Sequence, residues 1–287
     1  MKKTILMAAM AAAVTMTACS GDGAGEYETP QSQPQPTQVT LTFSPYRMEA
    51  MTRAATSIAD VVTRLDVWII QGGQEVAAVH QSASDAGFGS IAVTLDKTKT
   101  YTLYAVGHKA SAACTLADGL ITFGGDGKMA QAMWHTSTFS PADGTSLSCE
   151  MTRIVGMFRL ETTDAVPDDV TTMEITIAGG LSQWNVAGYG ATPADCTTTF
   201  SGFTRNNDGT ASFSASAISP ADAPASHTVT VTAKTADGTV KQQRTFADVP
   251  LRNGYKTTYR GEFFTNRNTS AAFTVESTWQ EYDVTNF

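Results

Sequence analysis

HTVTVTAKTADGTVKQQRTF, residues 227–246, is the stretch that decides the fold. Its two halves, 227–234 and 239–246, read as strands, and the first alternates Val229, Val231 and Ala233 with polar residues, as a half-buried strand does. Between them, Thr235-Ala236-Asp237-Gly238 carries an Asp-Gly pair, a strong signal for a tight antiparallel hairpin. The same alternation recurs outward from this point. QVTLTF (38–43) puts Val39, Leu41 and Phe43 on one face, and LDVWII (65–70) reads as a second strand. SIAVTL (90–95) is followed by the turn DKTK (96–99) and then TYTLYAVG (100–107), read together as a hairpin. RIVGMFRLE (153–161) and TTMEITIAG (171–179) flank the loop AVPDDV, and RNNDGT (205–210) is another turn. TYRGEFF (258–264) and AAFTVESTW (271–279) complete the set. Helical spacing is sparse: Ile58, Val61, Val62 and Leu65 fit a short helix or irregular turn, and 128–134 could add one or two turns. No period of 20–50 residues repeats, yet each half holds many short strands, which suggests two sandwiches with a boundary near residue 150.

Composition agrees. The 287 residues include 44 threonines, a residue that favours pleated half-buried surface over helix. Charged residues are only 16 % and the apolar set 42 %, enough for a real core. The net charge of −8, with no basic run, argues against a nucleic-acid partner. The expectation is an exported all-β protein.

The first residues, MKKTILMAAMAAAVTMTAC, join a positive start to an apolar run too short to span a bilayer. The ending Met16-Thr17-Ala18-Cys19 resembles a bacterial lipobox, in which the cysteine is lipidated and the chain is cut before it. Residues 1–18 then form a lipoprotein signal peptide, Cys19 the membrane anchor, and 19–37 a polar tether rich in Gly, Pro, Gln and acids. Loss of Lys2 and Lys3 takes the net charge from −8 to −10. Asp22, Glu26 and Glu28 resemble the surface-export signal of Bacteroidetes lipoproteins, or are plain linker composition. Cys114, Cys149 and Cys196 admit one disulfide in an exported protein, and buried free thiols are the reading preferred here.

Catalytic chemistry is hard to place. His80, His108, His135 and His227 are scattered, with no metal-binding spacing and no nucleophile motif. Asp168-Asp169 follows Pro167 in a turn, where Asp caps backbone N–H groups. The GxG pieces at 87–89 and 188–190 suit turns, and GGDGK (124–128) has too few oxygen ligands for calcium. Trp68, Trp134, Trp184 and Trp279 are assigned to packing, with an aromatic sugar platform as the competing reading. No catalytic residue, metal or cofactor is expected; a hydrolase on this scaffold would need His and carboxylate groups converging in a pocket.

PLRNGYKTTYRGEFF (250–264) carries the most information, a loop with Asn253-Gly254 and then a strand. It resembles a late segment of the fimbrillin-like proteins of Bacteroidales, including their fimbrillin-associated anchor family. Also similar are the lipobox with its tether, MTRAAT (51–56) before LDVWII, the 90–107 unit, and 153–177 as the start of a second domain. The resemblance implies two tandem transthyretin-like β-sandwich domains, 38–150 and 151–287, and a structural subunit of a surface fimbria: stalk, tip or anchor. It implies partners in other fimbrial subunits through strand exchange, and the outer membrane through the lipid anchor, with a host protein or glycan as a further possible ligand. In that group an Arg-specific protease removes an N-terminal strand, and a neighbour's strand fills the groove. The matching bond here is Arg53-Ala54, though Arg47 and Arg64 are near. The 38–43 strand suits release; the C-terminal strand is either a donor or a member of its own sheet. The alternative function is a lipid-anchored glycan-binding protein.

Overall fold

The computed structural model describes residues 33–46, 57–125, 129–220, 224–265 and 273–279. Cys19, Arg53 and Ala54, and with them the leader and most of the tether, lie outside the described residues. All elements below belong to the unit Pro34–Phe287.

Nine strands come from the first half: β1 (Pro36–Pro45), β2 (Arg64–Gln71), β3 (Gln74–Ser82), β4 (Ser90–Asp96), β5 (Tyr101–His108), β6 (Ala112–Ala117), β7 (Leu120–Gly124), β8 (Met133–Phe139) and β9 (Ser146–Arg153). Eight follow: β10 (Gly156–Thr162), β11 (Val170–Asn185), β12 (Tyr189–Ser201), β13 (Ser212–Ala217), β14 (Ala225–Thr235), β15 (Val240–Leu251), β16 (Tyr255–Gly261) and β17 (Phe273–Trp279). The protein is all-β. A single 3-10 turn, Ile58–Asp60, precedes β2, capped by Ser57 and Asp60, and it drops Ile58, Val61 and Val62 into the core. Residues 129–134, expected to add a helical turn, instead lead into β8, whose ladder to β5 takes up the Met133–Phe139 backbone.

The first sheet runs β3-β2-β5-β8-β9-β1-β4. In a flat sheet β2 and β1 would stand four spacings apart, about 19 Å at about 4.8 Å per step. Yet Leu65, Val67 and Ile69 of β2 share one core with Val39, Leu41 and Phe43 of β1 and Ile91, Val93 and Leu95 of β4. The path therefore folds back on itself as a sandwich. Strand β9 serves both layers: Ser146–Met151 pair with β1, whereas Thr152 and Arg153 pair with β8. This corrects the hairpin expected for 90–107. Strand β4 pairs with β1, while β5 pairs with β2 and β8, so the turn at 96–99 crosses from one layer to the other.

The second half builds the same topology. Strand β10 lies between antiparallel β13 and parallel β16, as β1 lies between antiparallel β4 and parallel β9. The order β12-β11-β14-β15 matches β3-β2-β5-β8. Phe158, Leu160, Ile175, Val229, Val231, Phe213 and Phe246 fill its core. The 227–246 hairpin forms as expected, with Gly238 at φ +85 and the Asp237 carboxylate accepting from the Thr239 N–H at 3.1 Å.

A third core joins what the sequence separates. Strand β2 is buried on both faces, and its outer Trp68 meets Val106, Trp134, Ile121, Leu181 and Trp184. The β6–β7 hairpin pairs with the far end of β11, Gln183–Asn185. Strand β11 switches partner across Gly179-Gly180, leaving β14 for β7. Gly179 is at φ +68, and a Cβ on Gly180 would press on Cys196 Sγ at 3.0 Å.

Candidate functional site

Strand β1 is bounded by prolines, Pro36 and Pro45. Its apolar face, Val39, Leu41 and Phe43, is buried at 0–4 % exposure, and its other face is Gln38, Thr40 and Thr42. Seven residue pairs hold it antiparallel to β4, and six hold it parallel to β9. Burying three such side chains contributes roughly 5–9 kcal/mol at about 1.5–3 kcal/mol each. Removal of β1 would leave a slot with an apolar floor and two rails of unpaired N–H and C=O groups, the chemistry that an extended strand satisfies. The Arg53-Ala54 bond falls between β1 and the Ile58 turn, so its cleavage would turn β1 into a separate chain held without a covalent link.

At the other end, β17 is an edge strand paired antiparallel with β16 over 273–279. Phe273 packs against Phe246 and Tyr259, while Thr274, Val275 and Glu276 are exposed. The chain reaches it from a clamp: the Asp164 carboxylate accepts the N–H groups of Phe263, Phe264 and Thr265 at 2.6–2.8 Å. Burial pushes Asp164 up, but those backbone donors outweigh it and hold the carboxyl below its ordinary value. Beside β17, Glu161, Thr163, Thr258, Arg260, Gly261, Thr274 and Glu276 line a hollow of 540 Å³, polar and without an aromatic floor.

The scattered histidines do not converge into a reactive centre, but two meet at Asp66. This carboxylate has no exposure and is approached by His80 Nδ1 at 2.8 Å, His108 Nε2 at 2.6 Å and the Cys114 N–H at 2.6 Å. These three donors occupy most of the lone-pair capacity of a carboxylate. Burial pushes Asp66 up; the bonds from His108, the Cys114 amide and His80 outweigh it and hold it below its ordinary value. Asp66, His108 and Cys114 offer ligand atoms within 4.8 Å of one another, the spacing of a metal site. The tautomer argues otherwise. The Ala110 N–H donates to His108 Nδ1 at 3.1 Å, so the ring proton sits on Nε2 and is aimed at Asp66. The cluster is a hydrogen-bonded hub joining β2, β3, β5 and β6.

The remaining expected residues fall into packing and turns. Cys114, Cys149 and Cys196 are free thiols; burial pushes Cys149 up to about 12 and Cys196 up to about 11. Trp68, Trp134 and Trp184 are buried in the third core, and of Trp279 only the backbone is described. Asp168 and Asp169 lie in a turn, with Asp169 ion-paired to Lys241 at 2.7 Å. His135 Nδ1 donates to the Glu150 carbonyl at 2.8 Å, and His227 Nδ1 to that of Ala178 at 3.0 Å. Sequence reasoning missed the Asp66 hub. Its signal was an acid inside the apolar run LDVWII, where alternation alone hides that both faces are covered.

No protein-family model matches the chain, and no curated protein matches its sequence. Solved structures do share its shape. One of "putative polysaccharide binding proteins" from Bacteroides thetaiotaomicron has TM-score 0.52 at 11 % identity, over 86 % of this chain and 99 % of that one. A "putative adhesin" from the same species has TM-score 0.50 at 14 % identity, over 87 % and 99 %. The fimbrial anchor protein Mfa2 from Porphyromonas gingivalis overlaps less well, with TM-score 0.47 at 14 % identity over 86 % and 99 %. None of the three is described as an enzyme. At such identities the likeness is one of fold: this chain shares the all-β sandwich architecture of the two structures with TM-scores of 0.50 and 0.52.

Proposed function

We propose that the protein is a structural subunit of a cell-surface fimbria, lipidated at Cys19, tethered to the outer membrane by residues 19–37 and linked to its neighbours by strand exchange. Cleavage at Arg53-Ala54 frees β1, and a neighbour's extended strand takes its place. The observation that carries the reading is the position of β1: central in its layer, paired on both sides, and the sole ladder partner of β4 among the described residues. The FTVESTW segment of β17 fits as donor. It holds one edge position, and Phe273, Val275 and Trp279 stand at alternate positions of the strand, with Ser277 between the last two. The resemblance of 250–264 to fimbrillin-like proteins and the adhesin description of a structural neighbour support the same role.

The test is digestion of the full chain by an Arg-specific protease, with the cut located by mass spectrometry and the product followed by light scattering. Chain cut after Arg53 is expected to lose its β1 fragment and associate. A cut chain that keeps the fragment and stays monomeric overturns strand exchange, and an intact Cys19–Phe287 chain in native fimbriae overturns trimming. A second reading, a lipid-anchored glycan-binding protein, is favoured by the description of the polysaccharide-binding neighbours. Retention of the full chain on immobilised polysaccharide would select it, although the buried tryptophans supply no stacking surface.

A further inference from the structure

Among the described residues β4 has one ladder partner, β1. Phe43 N–H donates to the Gly89 carbonyl and Lys97 N–H to that of Gln35, both at 2.8 Å. That register turns Ile91, Val93 and Leu95 toward β1, and the backbone groups of Ser90, Ala92, Thr94 and Asp96 toward the open edge. Withdrawal of β1 would therefore strip β4 of its whole ladder and of the side chains facing its apolar row. Strand β9, the other rail, keeps its ladder to β8 and runs on into β10.

Two side chains from the opposite layer hold the ends of β4. Gln81, on β3, accepts the Gly89 N–H at 3.0 Å and donates to the Ser90 carbonyl at 3.1 Å. Tyr101, on β5, accepts the Asp96 N–H at 2.9 Å and donates to the Asp96 carbonyl at 3.3 Å. Its ring is buried in the first core beside Phe139. Each side chain thus makes a two-bond clasp, one at each terminus, and neither clasp involves β1.

We propose that Gln81 and Tyr101 are positioning residues that keep β4 in place as a rail of the slot while β1 is absent, so that an incoming strand meets a formed groove. The proposal rests on the strand-release reading and adds the residues that preserve the acceptor.

Native-state hydrogen exchange on the full chain, at rising denaturant, separates the two. Expected is exchange of the Val39 and Leu41 amides through a local opening, while the Gly89 and Asp96 amides exchange only with global unfolding. If Gly89 and Asp96 open together with β1, the clasps do not hold the rail, and strand release stands without them. If Val39 and Leu41 exchange only globally even in chain cut after Arg53, strand release falls and the clasp proposal with it. A second arm uses a labelled peptide of residues 35–45 as the incoming strand. The double variant Gln81→Ala, Tyr101→Phe, cut after Arg53 and freed of its β1 fragment, should capture it at least tenfold more slowly than wild type treated alike, while the melting temperature of the uncut variant shifts by only a few degrees. Equal capture rates overturn the proposal, because a merely structural role would lower stability without slowing capture.

Discussion

Asp66 is an anion with no exposure, kept soluble in the interior only by its donors. Replacement by Asn removes the charge and forces an N–H₂ group against donors, so Asp66→Asn is expected to cost about 3–5 kcal/mol in urea unfolding. The sign of its pH dependence follows from its depressed folded pKa. Its stabilisation is complete above the unfolded value near 3.8 and is lost as pH falls through the lower folded value. The wild type should therefore lose stability below about pH 4, and Asp66→Asn should flatten that acid limb; an unchanged limb assigns the loss to other carboxylates such as Asp164. Gly89 is the other exacting residue. It sits at φ +85, and a Cβ there would come within 2.5 Å of the Ile58 side chain. Gly89→Ala should cost at least about 1–2 kcal/mol from the left-handed backbone alone, read as a lower melting temperature.

Strand β1 is where sequence pattern and assembly meet. Its Leu41 is fully buried between the two layers, so Leu41→Ala should destabilise by about 2–5 kcal/mol in equilibrium unfolding. If β1 is the separable element, the same substitution should also speed loss of the β1 fragment from Arg53-cut chain, seen as earlier association in light scattering. The turn after β4 shows how a short motif directs a crossover. The Asp96 carboxylate accepts from Thr98 N–H at 2.9 Å and Gln35 N–H at 3.1 Å, bending the chain out of one layer and pinning the start of β1. Tight turns of this kind look alike in sequence whether the next strand pairs with the last one or crosses to the facing sheet.

At the scale of the molecule, the third core makes the halves interdependent. Trp134 of the first sandwich and Trp184 of β11 pack with ring centroids 6.2 Å apart, and the β6–β7 hairpin is tied to β2 through Asp66 and to β11 through its ladder. Calorimetry should show one cooperative transition. Trp184→Ala, costing about 3–5 kcal/mol, should split it into two, because each half keeps its own core. A single transition in that variant would mean that the two sandwiches are coupled elsewhere.

Strands such as β1, β4 and β14 are legible in the amino-acid sequence together with their inward faces. Alternation in 38–43, 90–95 and 227–234 and the Asp-Gly turn at 237–238 are local patterns, and local backbone geometry reads them directly. Strands β6 to β9 and the edge strands β3, β12 and β13 do not show in the sequence; the three edge strands, rich in Ser, Thr and Ala, have little apolar contrast. Which strands are neighbours is set by tertiary packing. The parallel pairing of β1 with β9, the repetition of that arrangement by β10 and β16, and the gathering of His80, His108 and Cys114 around Asp66 join segments far apart in the chain. Such contacts depend on the summed burial of many side chains and leave no periodic trace in any one segment, so the slot that carries the proposed function becomes visible only once the sheets are folded onto each other.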